Sequence, residues 1–217
     1  MALKRLRYIL TLTAFLAAAF AQPVTVARAA GAKVTDRPLP SLAIFAETLT
    51  NGESHALRGV YVPGVLAHQV VQQPAGDPGF VSSDRDLLTQ FQQASQLGST
   101  GVLAHNFLAG ALFSDIQPGQ LIYLVYGDGH TSAFVVRDAL RYQALQPTSA
   151  YSAFVDLADG RQLGASELFV SVYGRRGALV LQTCIEAEGI STWGRLFVVA
   201  EPFHRRALQQ YACATCL

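Results

Sequence analysis

The chain has 217 residues, a formal net charge of +1 at pH 7, a charged fraction of 14% and a hydrophobic fraction of 51%. That is enough chain for one sizeable domain with a real core, and the composition excludes a disordered protein. No basic cluster occurs beyond the first residues, so the electrostatic footprint of a nucleic-acid binder is missing.

The N-terminus reads as an export signal. Residues 1–7 are basic, Tyr8 to Ala21 is an apolar run of 14 residues, and AFA at 19–21 or ARAA at 27–30 has the small-residue form of a cleavage site. The run is short of the ~20 apolar residues that a spanning helix needs. Extension through Val24 and Val26 leaves an uncleaved anchor open as the alternative. Either way, residues 1–30 place the rest of the chain outside the cytoplasm, secreted or held at the outer face of the cytoplasmic membrane, with membrane contact only through this segment. Loss of residues 1–21 removes Lys4, Arg5 and Arg7 from the 16 basic residues, leaving 13 against 15 acidic ones, a balance of −2. Charge therefore gives no hint of a partner.

Residues 31–54, with Pro38 and Pro40, read as a linker with room for a short helix at 41–48. From Arg58 the texture changes: LRGVYVPGVLAHQVV (57–71) reads as two short strands or one bent one, punctuated by Pro63 and Gly64. The stretch 83–98 predicts a helix. Ser83 would cap it, Asp84 and Asp86 would sit in its first turn, Leu87, Leu88, Phe91 and Ala94 would share a face, and Gly98 would end it. GVLAHNF (101–107) comes next as a strand. Residues 120–140 read as a hairpin turning at or near Asp128-Gly129, and 141–147 as a further strand. A short helix is expected around 166–173, then two strands, ALVLQTC (178–184) and GRLFVVAEP (194–202). Many short β segments without βαβ alternation predict a mainly β domain at 55–205, closed or nearly closed into a barrel with a few short helices, and a C-terminal tail at 206–217.

There are three cysteines. Cys213 and Cys216 form CATC in the tail and are a disulfide candidate, a terminal staple in an oxidising compartment. That pairing leaves Cys184 as the odd thiol, either a reactive residue or a buried inert one. Thiol catalysis needs a histidine to exchange protons and a group that stabilises an oxyanion. Arg195 supplies fixed positive charge on the next β segment, eleven positions on. Of five histidines, His105 lies where an apolar run turns into a loop, so it can be both held and exposed. His68 sits inside a strand pattern, His130 in a turn, His55 near the linker and His204 past the last strand. No HxH, HExxH or paired CxxC pattern supports a metal site, and no GxSxG supports a serine hydrolase.

The ordered trio resembles the sortases, exported cysteine transpeptidases built on an eight-stranded β-barrel. LVLQTC (179–184) is similar to the family's TLxTC strand end, with Leu181 for the first threonine. RLFVVAE (195–201) is similar to its arginine strand, and VLAHN (102–106) to its histidine segment, with Ala104 replacing the usual glycine. FSDIQPGQLIYLVYGDG (113–129) has the texture of the stretch between them. The resemblance spans roughly 58–200. It implies a closed eight-stranded sortase-like barrel in which Cys184 is the nucleophile, His105 the acid and base, and Arg195 the oxyanion or peptide ligand. It further implies substrate-binding roles for Thr183, Asn106 and Trp193. The implied partners are a peptide sorting signal of the LPxTG kind and an amine acceptor, on the cell wall or a protein, with no nucleic acid, no cofactor and no metal. A non-catalytic barrel that binds a peptide at the cell surface, or a cysteine hydrolase on the same fold, are the alternatives. The acidic EAEG (186–189) falls in the connection between the cysteine and arginine strands.

Overall fold

The computed structural model describes residues 38–203. The export segment, His204 and the Cys213/Cys216 pair lie outside the described residues. Ten strands form one sheet: β1 (Leu57–Val62), β2 (Leu66–Gln72), β3 (Leu87–Phe91), β4 (Thr100–Leu103), β5 (Leu121–Tyr126), β6 (Thr131–Ala144), β7 (Phe154–Asp156), β8 (Gln162–Leu163), β9 (Leu179–Ala187) and β10 (Ile190–Pro202). Their order is β10-β9-β4-β3-β2-β1-β5-β6-β7-β8, and β6 also pairs with β10. That last pairing closes the first eight of the series into a barrel and leaves β7 and β8 as a two-strand extension off β6. Closure removes the exposed edges that an open sheet would present. Two pairs are parallel, β2 with β3 and β4 with β9.

Each strand separates its side chains by the two-residue period of β structure. On β9, Leu179, Leu181 and Ile185 pack into the barrel interior with Val60, Leu88, Val102, Leu124 and Val198. Val180, on the alternate face, packs outside with α3 (Ala165–Tyr173), Phe197 and Val199. Leu168 and Val172 of α3 are almost fully buried, and each such side chain contributes about 1.5–3 kcal/mol over its exposed state. That apolar stripe pins α3 against the outer face of β9 and β10. A 3-10 helix, Ala109–Asp115, sends Ala109 and Phe113 into the interior. A further helix, α1 (Leu42–Leu49), packs Phe45, Ala46 and Leu49 on Val125.

The turn residues fall as the sequence predicts. The first hairpin turns through Pro63 and Gly64, the long one through Asp128-Gly129, and the short helix after Leu163 spans 165–173. Three expectations are corrected. Residues 141–147 are not a further strand: 141–144 continue β6, which pairs with β10 along its length, and 145–147 lie outside it. Residues 83–98 do not form one helix: 87–91 are β3, and only Gln92–Gln96 (α2) is helical before Gly98, whose φ of +83° ends the turn. The apolar spacing that suits a helix face also suits a strand filling the gap between β2 and β4. There Leu88 is fully buried, and Thr89 accepts a hydrogen bond from the Ser82 amide at 2.9 Å. Tertiary pairing overrides local propensity. Cys184 also does not end its strand. β9 continues through Glu186 and Ala187, and the connection is the two-residue turn Glu188-Gly189, with φ of 54° and 75°. Positive φ at both positions matches the turn to the strands' twist.

Candidate active site

Cys184 and Arg195 are direct partners in the β9–β10 ladder. Residues opposite one another in an antiparallel pair project to the same face, with Cβ atoms about 4.5–5.5 Å apart. On the other side of β9, parallel β4 sets Leu103 beside Gln182, and the ladder continues one step as Ala104 N donates to the Gln182 carbonyl at 3.2 Å. His105 lies two residues beyond Leu103, where the chain leaves the ladder and turns. Strand pairing thus sets Cys184 beside Arg195 on the outer face, with the segment that carries His105 following β4 on the other side of β9.

The histidine turn is fixed at several points. The Thr183 hydroxyl, buried, donates to the Ala104 carbonyl at 2.9 Å. The His105 carbonyl accepts from the amides of Leu108 and Gly110 at 3.0 and 3.1 Å. The Asn106 side-chain amide donates to the Ser191 carbonyl at 2.9 Å, which ties the turn to β10. Gly110 permits this closeness. A Cβ there would collide with Thr183 Oγ1 and lie 2.7 and 2.8 Å from the carbonyl oxygens of His105 and Ala104. The His105 ring stacks on Phe107, centroids 5.2 Å apart, and Phe107 is 68% exposed. The imidazole is therefore held on one face and open on the other. Ala104, where the sortase pattern has glycine, turns its methyl into the barrel interior and fits there.

Arg195 sits beside an irregularity. The β9–β10 register shifts between Ile190 and Gly194, so residues 191–193, Trp193 among them, bulge from the ladder. Bulges of this sort re-aim side chains at sheet edges and sites. The guanidinium donates to the carbonyls of Thr192 and Gly194, at 3.0 and 2.8 Å, and lies 5.9 Å from the Phe154 ring centroid. Among the described residues it enters none of the four ion pairs. Its partners are neutral, so its charge is uncompensated and available to an anion. Cys184, the one cysteine among the described residues, is half-buried with a free thiol.

Beside the trio lies an open cavity of about 510 Å³ under α3, walled by Phe91, Phe154, Phe169, Tyr173, Gln182 and Arg195 among others. Its size suits a ligand site. Arg195 and Gln182 line it, whereas Cys184 and His105 are not among its walls. Trp193 is half-buried in the bulge. Gln182 and Tyr173 were not singled out by sequence reasoning. Tyr173 falls in the short helix expected around 166–173, and no local signal in the sequence marks Gln182.

The other described histidines lie elsewhere. His68 is buried in β2, and burial lowers its pKa against the opposing pull of Asp86, so it is held neutral. His130 stacks on Tyr126, centroids 4.1 Å apart, and pairs with Asp128 at 2.5 Å in the β5–β6 turn. His55 is exposed before β1. Among the described residues no helix is long and apolar enough to cross a membrane.

No family model matches the chain, and neither does any curated protein. Solved structures do. A lid mutant of sortase A from Corynebacterium diphtheriae is 14% identical, with a TM-score of 0.43 over 68% of this chain and 70% of that one. Sortase A from Listeria monocytogenes is also 14% identical, with a TM-score of 0.43 over 71% and 95% of the two chains. Sortase C-1 from Actinomyces oris is 13% identical, with a TM-score of 0.44 over 77% and 82%. These three structures are sortases of the A and C types; the closed eight-stranded barrel seen in this chain matches the fold expected from its sequence.

Proposed function

We propose that the protein is a sortase-like cysteine transpeptidase that cuts a peptide sorting signal and transfers its N-terminal part to an amine. The observation that supports this reading is the pairing of β4, β9 and β10, which sets a free thiol opposite Arg195 and leaves the histidine segment at the end of the strand on the other side of β9. His105 takes the thiol proton, and the Cys184 sulfur adds to a peptide carbonyl, forming a carbon–sulfur bond as the carbonyl π pair moves onto oxygen. The oxyanion that develops is stabilised by Arg195, swung from its carbonyl partners about its side-chain torsions. As the carbon–nitrogen bond breaks, His105 donates a proton to the leaving amine. In the second half, His105 takes a proton from the incoming amine as its nitrogen bonds the thioester carbon and Cys184 leaves. Water in place of that amine would give hydrolysis by the same steps.

Asn106 and Thr183 hold the histidine turn in this scheme, and Trp193 in the bulge forms a wall of the approach to Arg195. The basic and apolar N-terminal segment supports a place outside the cytoplasm, where a surface-protein peptide and an amine acceptor would meet it. Incubation with LPxTG-like peptides and a glycine oligomer, followed by mass analysis of the products, tests the reaction. A peptide–amine conjugate that requires Cys184 is the expected result. Cleaved peptide without conjugate at saturating amine would establish a hydrolase instead, and intact peptide throughout would favour a binding barrel.

A further inference from the structure

Gln182 lies two residues before Cys184 on the same outward face of β9, in the wall of the cavity that Arg195 also enters. Its side-chain oxygen Oε1 accepts from the Tyr173 hydroxyl at 2.6 Å. Tyr173 is fully buried, and burial pushes its phenol well above the ordinary range, so it remains a donor throughout any working pH. The tyrosine ring is itself clamped edge-on by Phe91 and Phe197, with centroids 5.4 and 6.2 Å away. A buried hydroxyl needs an acceptor, and meeting that need fixes which way the carboxamide points. Oε1 faces Tyr173, and the NH₂ group faces away. Among the described residues no acceptor pairs with Nε2, and that nitrogen is not sealed from solvent.

We propose that Gln182 is a substrate-binding residue. In this reading, which rests on the thioacyl function above, its NH₂ group donates to the acyl-donor peptide at the backbone carbonyl two residues upstream of the scissile one. The spacing carries the assignment. Alternate residues of a strand lie about 6.6–6.8 Å apart and face the same way. An extended peptide laid along β9 repeats its carbonyls at the same interval. With its scissile carbonyl at Cys184, the carbonyl two residues back comes over Gln182. The upstream segment is the part retained in the thioester, so it has to be held through both half-reactions. The aromatic walls of Phe91, Phe154 and Phe169 cover its side chains while the amide of Gln182 reads its backbone. Tyr173 is then a positioning residue that acts through Gln182.

The test compares two peptides: the LPxTG-like peptide that acylates the protein fastest in a pool, and its copy with that upstream amide replaced by an (E)-alkene, which lacks the carbonyl. Wild-type protein should acylate with the intact peptide about fivefold to tenfold faster at low concentration, the scale of one neutral hydrogen bond. Gln182→Leu should treat the two peptides alike. Tyr173→Phe, which keeps the ring packing, should narrow the ratio by raising KM for the intact peptide with kcat held. If Gln182→Leu and Gln182→Met keep the wild-type ratio, the inference is overturned and the transpeptidase reading stands. If no peptide acylates the wild-type protein, both fall together.

Discussion

Replacement of His105 by alanine is expected to lower the rate of thioester formation by about 10²–10⁴, the usual worth of a positioned acid–base group. At 1.36 kcal/mol per tenfold, that is about 2.7–5.4 kcal/mol of barrier. The expectation rests on placement. Thr183 and the 104–110 backbone hold the segment, which leaves β4 two residues after the last β4–β9 pair, Leu103 and Gln182. No other described histidine is a substitute, since His68 is buried in β2 and His130 is engaged with Tyr126 and Asp128 in the β5–β6 turn. Single-turnover acylation followed by quenching and mass analysis measures the effect. Added imidazole should restore part of the lost rate, which loss of structure alone would not allow. An alanine variant with wild-type kinetics would remove His105 from the reaction.

Arg195→Ala should cost about 10²–10³ in the same measurement, the range seen when one oxyanion donor is removed. The guanidinium reaches its two carbonyls with one nitrogen and lies 5.9 Å from the Phe154 ring centroid, while its backbone pairs with that of Cys184, and among the described residues no acidic partner neutralises it. Arg195→Lys should recover only part of the loss. A lysine brings charge but not the planar fork, and it hydrates more strongly. Full activity in the lysine variant would show that charge alone matters at this position. Unchanged kinetics in the alanine variant would assign the oxyanion to other donors.

The segments that carry the candidate trio were legible in the sequence because each sits in an apolar strand pattern with a short, ordered motif. The turn glycines and the two strands carrying Cys184 and Arg195 were legible for the same reason. Residues 83–98 were not, because Leu87, Leu88 and Phe91 satisfy a helix face and a barrel strand equally well. Only the need to join β2 to β4 decides between them. The strand end at Cys184 was also misplaced: polar Glu186 breaks the apolar run, yet β9 continues, since its outward face there meets solvent. The bulge at 191–193 and the pairing of Tyr173 with Gln182 arise from contacts between distant elements. Nothing local in Ser191 or Gln182 announces them.

The most direct measurement is the intact mass of the purified protein after incubation with a pool of LPxTG-like peptides, beside Cys184→Ala. The wild-type protein should gain the mass of the N-terminal peptide fragment as a thioester on Cys184. That mass should disappear when amine is added, and the alanine variant should never acquire it. An adduct that persists in Cys184→Ala, or conjugate formed equally by both proteins, would contradict the assignment of Cys184 as the nucleophile.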